Sequence, residues 1–283
     1  MEQIYKIFSI VSGRYLIKNN ENEQWVYAAG KLRYQEQNPL VGDDIILENN
    51  TITKILDRKN SFIRPKVANI DQIFIFMSIK EPNFLSYLVD KYMSIIENKK
   101  IIPILCITKT DLDTNQAKEW ETQYKNMGYE VVLINNENPS YIQKINKLMT
   151  NKYSVFMGQS GVGKTTTLNI LGNLNYQTQE ISKSLGRGKH TTRTTYITKI
   201  NQGWLIDTPG FSSFDLNISK LELAQSFKVF NELSKLCKFR SCLHLEEETK
   251  DCAIKQKIDT KEIPLFRYQN YVKLLTEIQN ERK

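Results

Sequence analysis

The stretch Gly158–Thr165, GQSGVGKT, fits the pattern G-x-x-x-x-G-K-[ST] and lies between the apolar run YSVFM and a stretch of helical pattern. That spacing suits phosphate. Gly158 and Gly163 permit a close turn that points backbone N–H groups at an anion, and the following helix adds the positive end of its dipole. Lys164 would reach the β and γ oxygens of a nucleotide, and Thr165 would bind its Mg²⁺. Further on, Asp207 in WLIDTPGF stands at the end of a short apolar strand. A carboxylate there supports the Mg²⁺ shell, and Gly210 offers an N–H to the γ-phosphate.

A third group, Thr108-Lys109-Thr110-Asp111, follows the buried-strand pattern IIPILCI. A carboxylate at Asp111 can accept both the N1–H and the exocyclic amine of guanine, which adenine cannot reciprocate. The stem of Lys109 can pack over the base. Thr108 stands where such a loop usually carries Asn, and its hydroxyl can make only part of the same bonding. Alone, TKTD would read as a helix N-cap, a role open to Asp111 as well. In the company of the other two motifs it selects GTP over ATP.

In an ordinary small GTPase the phosphate loop comes first and the base-reading loop late. Here the order is reversed. All three loops follow the predicted C-terminal ends of strands, where ligands bind in open α/β sheets. Cutting and rejoining such a sheet preserves that arrangement, so the order predicts a circularly permuted P-loop domain. Between phosphate loop and DTPG, the segment SLGRGKHTTRTTYI suits a mobile loop in which Thr191 or Thr192 completes the Mg²⁺ shell. Phe211 follows DTPG, where a Ras-like enzyme carries a water-orienting Gln. His190, directly before the threonines, is the candidate for that task; the alternative is a solvated loop histidine. The catalytic candidates are therefore His190, Lys164 and Thr192.

The segment CKFRSCLHLEEETKDC gathers Cys237, Cys242, His244 and Cys252. Three of the four cysteines and one of the two histidines fall within it, which matches a closed Cys₃His zinc site of structural type. Buried, reduced cysteines beside a surface histidine are the alternative.

The elements that must position these groups follow from periodicity. Residues 1–57 read as five short β-runs separated by Gly, Asn and Asp turns, a small barrel of oligonucleotide-binding (OB) or SH3-like type. DRKNSFIRP reads as a basic linker. From residue 70, strands alternate with helices, including one over 114–127 and one over PSYIQKINKLM, which specifies a parallel sheet covered on both faces. Residues 219–236 read as a further helix, and LFRYQNYVKLLTEIQ closes the chain.

A net charge of +8 favours polyanionic partners, or else is simply a solvated basic surface. No apolar run reaches the ~18 residues of a membrane span, and MEQIYKIFSI lacks a secretory pattern, so a cytoplasmic protein is expected.

GKLRY and VGDDI in the barrel, RPKVANIDQ at the junction, TKTD, GQSGVGKTT, GRGKHTT, DTPGF and the Cys/His loop occur in the order found in one family. Over nearly its whole length the chain resembles the RsgA family of small-ribosomal-subunit-dependent GTPases. The resemblance implies an OB barrel (1–62), a permuted G domain (63–218) and a helical zinc-binding domain (219–283). It places GTP or GDP contacts on Thr108, Lys109, Thr110 and Asp111 and on Gly158, Gln159, Ser160, Gly161, Val162, Gly163, Lys164, Thr165 and Thr166. Zinc ligands carry over onto Cys237, Cys242, His244 and Cys252. The implied partners are the small subunit and its rRNA, with no membrane, no DNA and a monomeric chain. Two departures stand out: the His244–Cys252 interval is longer than usual and lacks Pro-Gly, and no clear base-contacting Ser-Ala follows YEVVLI, Asn135 and Asn136 being poor substitutes for it. The competing readings are a permuted GTPase of the large subunit or of signalling, and a zinc RNA-binding module with a vestigial nucleotide site.

Overall fold

The computed structural model describes residues 3–34, 38–63, 65–173, 195–207 and 218–280. In chain order the strands are β1 (Ile4–Val11), β2 (Arg14–Lys18), β3 (Glu23–Ala28), β4 (Asp44–Glu48), β5 (Thr51–Ile55), β6 (Ser61–Phe62), β7 (Val67–Ala68), β8 (Gln72–Ser78), β9 (Ile102–Thr108), β10 (Glu130–Ile134), β11 (Tyr153–Met157), β12 (Tyr196–Ile200) and β13 (Gly203–Asp207). The helices are α1 (Gly30–Tyr34), α2 (Ser86–Asn98), α3 (Thr114–Asn126), α4 (Ile142–Met149), α5 (Lys164–Asn173), α6 (Lys220–Ala224), α7 (Lys228–Ser234) and α8 (Leu265–Asn280). The chain divides into two compact units, one of residues 1–72, 142–156 and 167–212, the other of 73–141, 157–166 and 213–283.

In the first unit β1 pairs with β2, β2 with β3, β3 in parallel with β5, β5 with β4, and β4 again with β1. The sheet thus closes into a five-stranded barrel of OB type, which removes its free edges. Alternation along the strands sends Tyr5, Ile7, Ile17, Val26, Ile45 and Ile52 inward, and Leu32 of the unforeseen α1 joins them. The basic stretch expected as a linker is anchored instead. Arg58 holds the buried Asp43 carboxylate through two bonds of 2.7 Å, and β6 pairs with β7.

In the second unit β9 runs parallel to β10, with Thr108 opposite Ile134, and β8 lies on the other side of β9. Every residue of β8 is buried, as a strand covered on both faces requires. The segment read as one helix over 219–236 is two. Ser219 and Glu222 form a capping box at the start of α6. The chain then leaves the helix at Phe227, whose extended backbone turns a fully buried ring against Phe230 and beneath the Arg267 guanidinium, 4.5 Å away.

Arg267 of α8 is itself 1% exposed, and its guanidinium pairs with the fully buried Asp90 of α2 at 3.3 Å. Beside it, Glu97 accepts hydrogen bonds from the Tyr129 hydroxyl at 3.0 Å and the Lys228 backbone N–H at 3.3 Å. Burial pushes the Glu97 carboxyl up to about 7, against the opposing pull of Arg267, the Tyr129 and Lys228 hydrogen bonds and the Lys228 charge. Between the ordinary glutamate range and about pH 7 the native state therefore keeps a proton that the unfolded chain has released. Stability should fall with rising pH across that window and level off above it. Glu97→Gln, which keeps an acceptor for Tyr129, should flatten the fall. Urea titrations from about pH 5 to 8 check this; an unaltered slope in the variant would place its source elsewhere.

Candidate nucleotide site and metal centre

The phosphate loop starts where β11 ends. Gly158 has φ 145°, and a Cβ there would lie 2.3 Å from the Phe76 carbonyl oxygen, so only glycine fits. Gly163 has φ 93°, a left-handed turn that brings Lys164 to the first position of α5. The Lys164 Nζ donates to the carbonyls of Gly158, at 2.6 Å, and Gln159, at 2.5 Å, which holds the ammonium across the curl of the loop. Burial lowers its pKa. Val162 is buried, whereas Ser160, Gly161, Thr165 and Thr166 are exposed. A glycine turn bridged by an ammonium, with an exposed hydroxyl on the first helical turn, has the chemistry that suits a Mg²⁺-bound polyphosphate.

Thr108, at the end of β9, is fully buried, and its Oγ1 donates to the Val162 carbonyl at 2.6 Å. This single bond ties the TKTD loop to the phosphate loop across the altered chain order. Lys109 adopts φ 54° and its ammonium donates to the Glu81 carbonyl, which fixes its stem. Thr110 is buried, with its N–H on the Ile134 carbonyl at 3.3 Å. The helix-cap alternative for Asp111 is corrected by the structure. Asp113 is the N-cap of α3, accepting from the Gln116 N–H at 3.1 Å, and Asp111 is exposed.

In the metal centre, one donor atom from each of Cys237, Cys242, His244 and Cys252 lies within 4.8 Å of all the others. His244 Nδ1 is 3.8 Å from the Cys237 sulfur and 3.4 Å from that of Cys252. Its Nε2 lies 3.2 Å from the Ala224 carbonyl, so a proton on Nε2 leaves Nδ1 as the ligand atom. Burial lowers the His244 pKa and so favours the neutral imidazole that metal binding needs. The long interval before Cys252 is taken up locally. Glu247 accepts from the Leu243 and Leu245 N–H groups at 2.8 and 2.9 Å, and Lys255 donates to the carbonyls of Leu245 and Glu247. The donor set fits a Zn²⁺ ion.

The family model described as RsgA GTPase matches residues 55–217. The chain is 51% identical over 281 residues to the small ribosomal subunit biogenesis GTPase RsgA of Mycoplasmopsis agalactiae, covering 98% of this chain and 99% of that one. The corresponding protein of Mycoplasmopsis pulmonis is 45% identical over 276 residues, covering 98% and 100%. Among solved structures, YloQ, a circularly permuted GTPase, superposes with a TM-score of 0.80 at 32% identity, covering 100% of this chain and 96% of the other. YjeQ from Thermotoga maritima does so with a TM-score of 0.83 at 28% identity, covering 99% of each. The chain belongs to the RsgA GTPase family.

As a member of the RsgA family it is a GTP hydrolase with a circularly permuted G domain. GTP or GDP and Mg²⁺ follow from that membership. Of the remaining predicted residues, Asp207 ends β13 and accepts from the Tyr196 hydroxyl at 2.8 Å. His190, Thr191, Thr192 and Gly210, with Phe211, lie outside the described residues. The spacing of the motifs reveals neither the close approach of the Phe76 carbonyl to Gly158 nor the hydrogen bonds by which Glu247 and Lys255 brace the Cys/His loop. Phe76, Glu247 and Lys255 belong to no motif, and they act across turns or strands.

Proposed function

We propose that this GTPase binds the small ribosomal subunit, acts late in its maturation and hydrolyses GTP to GDP under stimulation by that subunit. The observation that carries the reading is the 51% identity, end to end, with a protein named for small ribosomal subunit biogenesis. A three-part chain serves it: an RNA-contacting barrel over 1–62, a G domain over 63–218 and a zinc-stabilised helical domain over 219–283.

Contact with rRNA is supported by charge and by the outer face of the barrel. Trp25 and Tyr27 on β3 are 43% and 62% exposed, and the Arg14 guanidinium of β2 lies 5.5 Å from the Trp25 ring. Aromatic faces beside cations stack unpaired bases, and OB barrels use strands two and three for oligonucleotides. Lys238 and Arg240 in the metal loop add positive charge. A cytoplasmic, monomeric protein without DNA partners is part of the same proposal; among the described residues no helix is long and apolar enough to cross a membrane.

In the reaction, the phosphate loop and Lys164 bind and polarise the β and γ oxygens. Thr165 holds Mg²⁺, and on motif grounds alone so do Asp207 and Thr191 or Thr192. His190 is proposed to orient the attacking water. Thr108–Asp111 read the base.

The test is GTP turnover of the full chain alone and with each purified subunit. Strong stimulation by the small subunit and none by the large is expected. Stimulation by the large subunit, or by neither, would overturn the proposal. Binding to the small subunit should also weaken steeply with salt, because phosphate contacts release counterions.

A further inference from the structure

The base-reading loop of this chain has a chemical gap. Guanine presents N1–H and an exocyclic amine on one edge, which suit Asp111, and two acceptors, O6 and N7, on another. The usual Asn at the start of the loop supplies donors. Here Thr108 has one hydroxyl hydrogen, and it is directed to the Val162 carbonyl at 2.6 Å. Thr108 therefore ties the loops together and has no second proton for the base.

A donor comes to the same place from the next loop. Thr108 and Ile134 are partners across β9 and β10, so Asn135 and Asn136 emerge beside TKTD. A Cβ built on Gly163 would lie 3.6 Å from Asn136 Nδ2 and 3.8 Å from the Thr108 Cβ, so both side chains converge on this glycine. The amide is also oriented. The hydroxyl of Tyr141, itself 5% exposed, donates to Asn136 Oδ1 at 2.5 Å, which turns the Nδ2 end toward the phosphate loop. Asn135 does other work, its Oδ1 accepting the Glu137 N–H at 2.8 Å.

We propose that Asn136 is a specificity-determining residue, its side-chain amide donating to the O6/N7 edge of guanine, and that Tyr141 is a positioning residue that holds the amide in that sense. A donor at O6 meets the exocyclic amine of adenine unfavourably, so the contact adds discrimination to that of Asp111. The inference rests on the reading of Thr108–Asp111 as the guanine loop.

Calorimetric titration of the full chain with GDP, 7-deaza-GDP (no N7 acceptor) and 6-thio-GDP (a weakly accepting sulfur in place of O6, with N1–H kept) tests it. Asn136→Ala should weaken GDP binding about 3- to 10-fold, the scale of one hydrogen bond. The same variant should lose the sensitivity of the native protein to at least one of the two analogues, since the partner atom no longer matters. Tyr141→Phe should bind GDP more weakly than the native protein but better than Asn136→Ala. Full sensitivity to both analogues in Asn136→Ala would overturn the proposal. Asp111→Asn serves as the reference, because an amide there suits the C2 carbonyl of xanthine. If it fails to shift preference from GDP toward xanthosine diphosphate, the base-loop reading itself falls. If it succeeds while Asn136→Ala is silent, only the role of Asn136 falls.

Discussion

Lys164→Ala should reduce GTP turnover by about 10²-fold or more, the scale of removing one preorganised charge from a transition state. The ammonium is already placed by the Gly158 and Gln159 carbonyls, so nucleotide binding finds it in position and loses little in arranging it. Alanine removes the charge that balances developing negative charge on the transferred phosphoryl group. Alanine also removes the two bonds to the loop carbonyls, but the packing of Gly158 against Phe76 and the Thr108–Val162 bond remain to hold the loop. The variant should therefore fold, as circular dichroism will show, and its kcat should fall whether or not small subunits are added. Undiminished subunit-stimulated turnover in a folded Lys164→Ala protein would displace the reaction from this loop.

Removal of zinc should have the largest effect on the C-terminal region. The apparent binding free energy of structural zinc in small modules is about 10–16 kcal/mol, and much of it is folding free energy. Cys237, Cys242, His244 and Cys252 sit in irregular chain with few helical hydrogen bonds of their own. Around them, Tyr268 donates to the His244 carbonyl at 2.7 Å and Tyr271 to the Leu243 carbonyl at 2.5 Å. Chelation should unfold residues 237–252 and free those tyrosines, read as a loss of near-ultraviolet dichroism. GDP affinity should stay close to that of the zinc-bound protein, because no proposed ligand of the nucleotide lies in the loop. Elemental analysis should find one zinc per chain. Its absence from folded, purified protein, or a chelated protein with an unaltered spectrum, would remove the metal from the account. Cys252→Ser should resemble chelation.

Much of this protein is written in local pattern. The phosphate loop, the reversed order of the nucleotide motifs, the alternating strands of the barrel and the clustered zinc donors are each specified by residue types a few positions apart, because backbone repeats and tight turns impose those intervals. Partnerships between distant segments are another matter. Nothing in the spacing of TKTD tells that Asp113, and not Asp111, caps α3, since both precede the same helix. Nor does it tell that the Thr108 hydroxyl is committed to Val162, or that Tyr141 orients Asn136. The break between α6 and α7 and the burial of Arg267 against Asp90 likewise depend on which surfaces meet. Cys252 shows the division plainly: its interval from His244 departs from the family habit, yet its sulfur lies 3.4 Å from Nδ1. A short interval in the chain restricts what can meet, but only packing, by choosing which polar groups lose water together, decides what does.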